Sequence, residues 1–248
     1  MAEKSHAKEL DFWHKKICVK DFIAHDPVQF PHRYTKREDV EIAAVLTATI
    51  AWGRRDMILR SAEKMFAMTE ECGPYVYVMS GGYKKLKNRN IHRTFFESDL
   101  KYLCRGLKHC YAKYGGLEKM FISAPQNPRD IWGGIALFRE EMAKANGGAY
   151  SRHVSDPETS ACKKLNLALR WLVREGPVDL GLWKNIKPAS LFIPLDVHVA
   201  RTARKLGLLE RKSNDRKAVI ELTEKLRGYC PQDPVKYDFA LFGMGVSG

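Results

Sequence analysis

Apolar residues that recur at helical spacing constrain the fold of this chain more than any other feature. One such run begins at the capping box Thr35-Lys36-Arg37-Glu38 and predicts a helix that extends to about Ala51. Gly53 then breaks the helical pattern. A second run predicts a helix from about 55 to 69. The same spacing predicts further helices at about 95–113, 127–145, 160–174, 197–206 and 215–227.

Signals for β-structure are weak in this sequence. No alternation of apolar and polar residues is sustained, and no two apolar runs are joined by a hairpin turn signal. The chain is therefore predicted to be all-α. Two segments rich in glycine or charge, at 81–90 and 145–150, are predicted to be loops rather than domain linkers.

A strongly basic composition favours a polyanionic partner such as nucleic acid. The chain has 42 Lys and Arg against 29 Asp and Glu, which gives a net charge of +13. The alternative is that this charge only keeps the protein soluble. With 248 residues and 45% hydrophobic residues, the chain is long enough for one large domain, or for two small ones that share a core.

The six cysteines suggest neither a zinc site nor a disulfide framework, because they show no Cys-x-x-Cys pair and no regular spacing. Such cysteines fit a reducing cytoplasm. The N-terminal segment is charged, and no apolar run reaches about 18 residues, the length expected of a membrane span. We therefore expect a cytoplasmic protein that contacts no membrane and holds no metal or other cofactor.

Two runs carry candidate chemistry. In the first, Ile193 to Arg201, Asp196 precedes a predicted helix, where its carboxylate can cap the helix and can also be catalytic. The second run begins at Lys163-Lys164 and opens another predicted helix upstream. Together the two runs suggest an amine and a carboxylate that face one cleft.

These runs resemble the helix-hairpin-helix DNA glycosylase superfamily. There, a Pro-Val-Asp-Thr-His-Val segment carries the catalytic aspartate and a Lys-Thr-Ala-Asn-Val-Val-Leu helix carries the lysine, and Asp196 and Lys163 fall on those positions. The spacing between them is more similar to the archaeal 8-oxoguanine glycosylase branch than to endonuclease III. The whole chain also resembles a bacterial family of unknown function, through LRWLVR, DLGLW, PLDVHVAR and YDFALFG.

The glycosylase resemblance implies a single unit, 1–248, built from two helical lobes with a cleft between them and a helix-hairpin-helix-type element. Lobe A would comprise about 1–35 and 175–248, and lobe B about 36–174. The resemblance also implies a monomer that acts on DNA in the nucleoid. No iron-sulfur cluster is expected, because the four-cysteine loop of endonuclease III has no counterpart here.

The implied activity is removal of an oxidised purine such as 8-oxoguanine, followed by AP-lyase cleavage. Lys163 would attack C1′ of the damaged nucleoside as a neutral amine, and Asp196 would help to deprotonate it and steady the positive sugar. Lys164 is the alternative nucleophile, and Arg170 and Arg174 are cationic neighbours that would lower the pKa of the amine. Helical geometry predicts Lys163, Arg170 and Arg174 on the polar face, for which an ordinary solvated basic face is the alternative interpretation.

A turn between two predicted helices is a candidate for DNA contact. Trp52 would wedge into the duplex or touch the extruded base, while Arg54 and Arg55 would contact phosphates. The alternative interpretation is a packed tryptophan at a helix end with exposed arginines.

Other DNA contacts are expected near the two catalytic runs. Superfamily hairpins usually carry Leu-Pro-Gly-Val-Gly, but no glycine precedes the lysine helix here, so Thr159 or Ser160 would cap it and offer N–H groups to a phosphate. Arg170 would contribute a further contact, and Tyr237 or Asp238 would read a base edge. The absent glycines also motivate a rival function, a non-catalytic nucleic-acid-binding protein of the same fold; a helical interaction protein is a third.

Overall fold

The computed structural model describes residues 2–124 and 131–247, and this part of the chain is all-α, as predicted, apart from one short hairpin. The helices are α1 (Ala2–Ile17), α2 (Asp21–Ala24), α3 (Arg37–Ile50), α4 (Arg55–Ala67), α5 (Gly73–Ser80), α6 (Glu97–Tyr114), α7 (Leu117–Ser123), α8 (Trp132–Lys144), α9 (Lys163–Val173), α10 (Val197–Lys205), α11 (Arg216–Tyr229) and α12 (Tyr237–Ser247). Short 3₁₀ helices occupy Pro27–Gln29, Pro31–Arg33, Gly82–Lys85, Pro188–Ser190 and Pro234–Lys236.

The hairpin consists of β1 (Asn90–His92) and β2 (Phe95–Phe96). Its strands are antiparallel, and Asn90 pairs with Phe96 while His92 pairs with Phe95. Strands of three and two residues are too short to show alternation, which explains why the sequence pattern missed them.

The described residues divide into two compact units. Unit 1 contains residues 2–24, Ile131 and 156–247, and unit 2 contains residues 25–124 and 132–155. Unit 1 therefore includes α9, whose residues were predicted to belong to lobe B. Lys163 and Asp196 consequently belong to the same unit.

Several predicted helices agree with the structure to within a few residues, among them α4, α6, α9, α10 and α11. The helix predicted at 127–145 is present as α8, and positions 127–130 lie outside the described residues. The capping box at Thr35 is wrong, because Lys36 occupies the N-cap of α3 and no side chain caps that end. Asp39 instead accepts a hydrogen bond from the amide of Tyr75, at 2.7 Å, and so links α3 to α5.

In unit 1, both α1 and α10 pack against α12. The close approach of α10 and α12 depends on Gly245, since a Cβ atom there would lie 2.8 Å from Oγ1 of Thr202. The buried face of α12 includes Phe239, Ala240 and Leu241. This packing holds the start of α12 and the start of α10 in one compact unit.

In unit 2, α6 packs against α8, and α3 packs against α5. Nearly all of α3 is buried, from Val40 to Ile50. Among residues 2–124 and 131–247, no helix combines the length and the apolar character that crossing a bilayer requires.

Candidate functional site

Lys163 is the first residue of α9 and is half-buried, with Lys164 beside it. The N-cap of this helix is Cys162, whose backbone is left-handed with φ 46° and whose side chain makes no capping bond. The prediction that Thr159 or Ser160 would occupy the cap is therefore wrong. Their segment bends back on itself, since Oγ of Ser160 accepts the Cys162 amide at 3.2 Å.

The segment before α9 is also tied to the start of α11. The carbonyl of Thr159 accepts the amide of Arg216 at 3.2 Å, and Ser160 forms an isolated bridge with Asp215. Thr159 is exposed and Ser160 is half-buried, so both remain within reach of a ligand. A phosphate contact by either residue stays a prediction.

Asp196 occupies the N-cap of α10, as predicted. Its Oδ1 accepts the backbone N–H groups of His198 and Val199, both at 2.9 Å. These bonds satisfy two amides that the first turn of a helix would otherwise leave unpaired. The carboxylate is half-buried, and both bonds use the same oxygen atom.

Asp238 lies in the first turn of α12 and is only 6% exposed. Its burial raises its pKa to about 6, against the opposing effect of Arg170. The negative charge of Asp196 raises this pKa further, whereas the positive charge of Lys163 lowers it. Asp238 also links α12 to α9 through its ion pair with Arg170, and α10, which Asp196 caps, packs against α12.

Two buried arginines pair with aspartates of unit 1. Arg170 is 4% exposed and forms ion pairs with Asp238 and with Asp179, the latter at 3.3 Å. Arg174 is 3% exposed and forms ion pairs with Asp179 and Asp233, the latter at 2.9 Å. The guanidinium carbon of Arg170 also lies 4.2 Å from the ring centre of Phe239. The polar side of α9 is therefore an internal network of cations and carboxylates.

This network overturns two expectations about α9. The solvated basic face offered as an alternative is wrong, because Arg170 and Arg174 are buried and paired. Arg170 is also not available for the predicted DNA contact in this arrangement, since aspartates inside the protein engage its guanidinium. No helical periodicity marks Asp179 or Asp233 as partners, because both lie outside α9.

Tyr237 is likewise unsuited to the predicted base contact, since it is buried at the junction with α12. Its ring packs edge-on against Tyr229, and burial raises the pKa of its hydroxyl to about 12. Asp238 follows it in the chain but is engaged by Arg170. Both side chains serve the packing of unit 1 in the described conformation.

The turn that contains Trp52 belongs to unit 2. The half-buried Trp52 ring stacks on His153, with centroids 5.6 Å apart, and meets the His92 ring edge-on at 4.8 Å. Arg54 is exposed and forms two 3.1 Å hydrogen bonds with Asp56, while Arg55 lies 3.7 Å from Asp26. The turn thus combines a fixed aromatic ring with the exposed Arg54 and the half-buried Arg55, and its predicted DNA contacts stay predictions.

The described residues contain no group of three or more His, Cys, Asp or Glu side chains arranged to hold a metal ion.

Comparison with known proteins bears on the family and not on the activity. No curated protein and no solved structure matches the chain significantly. One family model matches residues 26–247, a range that includes the Trp52 turn as well as Lys163, Asp196 and Asp238. This agrees with the expectation of an uncharacterised family. The chain therefore belongs to the family described as protein of unknown function, DUF2400.

Proposed function

We propose that this protein is a DNA glycosylase with AP-lyase activity, which removes an oxidised purine of the 8-oxoguanine type through a Schiff base at Lys163. The observation that carries the proposal is that unit 1 contains both the half-buried Lys163 at the start of α9 and the half-buried Asp196 at the N-cap of α10. Both helices contact α12, since Arg170 of α9 pairs with Asp238 and α10 packs against α12, which supports a site that uses the amine and the carboxylate together. The positive net charge of +13 supports a polyanionic substrate.

In this mechanism Lys163 attacks C1′ as a neutral amine, and the bond from C1′ to the base breaks as the base leaves with the electron pair. Because Lys163 is the first residue of α9, the positive end of the helix dipole disfavours an ammonium there. Asp196 takes up the proton that the amine loses and stabilises the positive charge on the sugar. The sugar ring then opens as the C1′–O4′ bond breaks and O4′ takes up a proton, which leaves an imine between C1′ and Lys163. Loss of a proton from C2′ permits β-elimination, which breaks the bond from C3′ to its phosphate oxygen.

The proposal includes a helix-hairpin-helix-type element, for which residues 156–162 and α9 are the candidates. It also includes a monomer that acts on DNA in the nucleoid, with the cleft between two lobes that the resemblance implies. The buried network of Arg170 and Arg174 would support the site from within by holding α9 and the start of α12 together.

A second candidate function is a non-catalytic nucleic-acid-binding protein of the same fold. It is favoured by the segment before α9, which lacks the glycines whose N–H groups approach a phosphate in the superfamily hairpin. Under this alternative the basic surface is retained. Asp196 then only caps its helix, and Lys163 only adds to the positive charge of the surface.

Borohydride trapping on a panel of labelled duplexes separates the two functions. The panel contains 8-oxoguanine, uracil, thymine glycol, an abasic site or no lesion, and a covalent adduct reports a Schiff base. The wild type should give an adduct with an oxidised purine, Lys163→Ala should give none, and the matched control Lys164→Ala should trap normally.

Each alternative outcome of this experiment has a definite meaning. Equal trapping by the wild type and Lys163→Ala would remove Lys163 as the nucleophile, and loss in Lys164→Ala alone would move the role by one residue. Binding to every duplex without any adduct would support the non-catalytic alternative.

A further inference from the structure

Three segments that are far apart in sequence meet on the surface of unit 2. They are the turn at 52–54, the hairpin turn at 93–94 and the pair at 152–153. Nη1 of Arg93 lies so close to Gly53 that a Cβ atom there would be 2.5 Å from it. Nη2 of Arg152 donates to the carbonyl oxygen of Thr94 at 2.6 Å. The stacking of Trp52 on His153 completes the contacts between the segments.

The surface formed by Trp52, Arg54, Arg93 and Arg152, called here the arginine surface, is strongly positive. The three arginines are exposed, and the side chain of Arg54 is 77% exposed. Within the described part of the chain, the guanidinium of Arg93 has no ion-pair or hydrogen-bond partner.

Few carboxylates balance this charge. Asp56 pairs with Arg54 at the edge of the arginine surface. Asp99 lies 3.5 Å from Nε2 of His153 and accepts a hydrogen bond from the amide of Phe96 at 2.8 Å. These groups, and not the three arginines, are the partners of its carboxylate. A net positive surface therefore remains for an anionic ligand.

The aromatic ring in this surface is held in place. His92 supports Trp52 from the interior, since its Nε2 lies 2.9 Å from the Trp52 carbonyl oxygen and its Nδ1 lies 3.0 Å from Oγ of Ser61. His153 packs along the face of the ring. The ring is nevertheless only half-buried. A fixed, partly exposed aromatic ring between guanidinium groups is suited to stack on an unpaired base.

We propose that the arginine surface binds the sugar–phosphate backbone of DNA beside an unstacked base. In this arrangement Arg93 and Arg152 contact phosphates, and Trp52 stacks on the base. Guanidinium groups pair with phosphate oxygens through two parallel hydrogen bonds, and releasing the counterions of the backbone contributes to affinity. The choice of DNA rests on the proposed function, but Arg93 and Arg152 go beyond it, because neither belongs to the lysine and aspartate site.

The test measures binding of the full-length protein to a fluorescein-labelled duplex that contains a tetrahydrofuran abasic-site analogue, across a series of salt concentrations. Arg93→Gln and Arg152→Gln should each weaken binding and reduce the slope of log affinity against log salt by about one. The matched control is Arg105→Gln, which removes one exposed charge from α6 at a residue that contacts Asn146 and none of the three segments. Its slope should stay near that of the wild type.

Arg93→Gln breaks no hydrogen bond or ion pair within the described residues but removes the contact with Gly53, so its thermal unfolding is also measured. Arg152→Gln removes the bond to Thr94, so its thermal unfolding is measured alongside. Trp52→Ala should lose more affinity for the abasic duplex than for the intact duplex, because stacking requires an unpaired base.

Slopes for Arg93→Gln and Arg152→Gln equal to that of Arg105→Gln would overturn the proposal. The proposal would also be overturned if poly-glutamate displaced the labelled duplex at the same concentration of negative charge as unlabelled DNA does. That result would indicate an acidic protein as the partner. The trapping experiment distinguishes this failure from failure of the proposed function. If the two arginine variants reduce the salt slope but no Schiff base is trapped, the arginine surface is a DNA site and the glycosylase proposal fails. If a Schiff base is trapped but the slopes do not change, only the arginine surface is rejected.

Discussion

At the scale of single residues, Asp196 and Asp238 are two carboxylates in one unit with opposite surroundings. Asp196 is half-buried at the start of α10 and accepts two backbone amides. Asp238 is buried at the start of α12, where desolvation opposes ionisation. Both lie near the start of a helix, but only Asp196 is its N-cap. Their different environments lead to separate predictions.

Asp196→Asn should reduce base excision by on the order of a hundredfold or more, because it removes a proton acceptor and a negative charge beside the developing positive sugar. Thermal stability should change little, since the amide oxygen of asparagine can accept the same backbone bonds. Single-turnover excision and thermal unfolding measure the two effects. Asp215→Asn is the matched control, because it alters another N-cap aspartate of unit 1 and should leave excision unchanged. Normal excision by Asp196→Asn would reduce this residue to a cap.

Asp238 should make the protein less stable as the pH rises. Burial raises its pKa from 3.8 to about 6, so the folded state binds the proton more tightly than the unfolded state does. Its contribution to folding is therefore fully present below about pH 4 and is lost as the pH rises towards 6. His14 acts in the opposite direction over this window, because burial lowers its pKa from 6.5 to about 4.

The contribution of Asp238 is isolated by comparing the wild type with Asp238→Asn from pH 4 to pH 7. Because both proteins contain His14, its effect cancels in the difference. The stability of the wild type relative to the variant should fall as the pH rises through this window, measured by denaturant unfolding at each pH. Parallel curves for the two proteins would contradict the assignment.

At the scale of elements, α9 is held by charges as much as by its apolar residues. Arg170 and Arg174 project from it and pair with three aspartates that lie outside the helix. A buried ion pair costs desolvation when it forms, but removal of one partner leaves the other buried and uncompensated. The position of α9, and of Lys163 at its start, therefore depends on complete pairing of this network.

Arg174→Ala should destabilise the protein by about 3–5 kcal/mol, because Asp179 is buried and would lose an ion-pair partner. Urea unfolding of the folded variant measures this change. Arg216→Ala is the control, since its partner Glu158 is 76% exposed in its side chain and such surface pairs contribute about 1 kcal/mol or less. Equal losses in the two variants would show that the buried network adds nothing to stability.

At the scale of the whole molecule, the excess of positive charge predicts that DNA binding depends on salt concentration. Affinity for an intact duplex should fall linearly with the logarithm of salt concentration, with a slope of about −0.9 for each phosphate neutralised. Lys163→Ala should retain nearly all of this binding, because it removes one amine from a chain with a net charge of +13. Fluorescence anisotropy across salt concentrations measures both quantities. Absence of salt-dependent binding would favour the helical interaction protein instead.

The amino-acid sequence was enough to predict the helical class and most helix positions, because apolar spacing reflects which side of a helix is buried. It also identified Asp196 as a cap, since that interaction joins residues two and three positions apart. It missed α5, whose Gly73–Ser80 segment is apolar on most sides and shows no clear stripe. Helices of this kind leave no periodic signal.

Which charges are buried, and which groups contact one another, depends on how the helices pack and could not be predicted from the sequence. Helical spacing put Arg170 on a polar face, but the aspartate that covers it, Asp238, comes from a helix 68 positions away in the chain. The approach of Arg93 to Gly53 likewise depends on packing between distant segments. Such pairs have no fixed spacing in sequence, because the geometry that joins them arises only when the apolar faces of the helices have packed together.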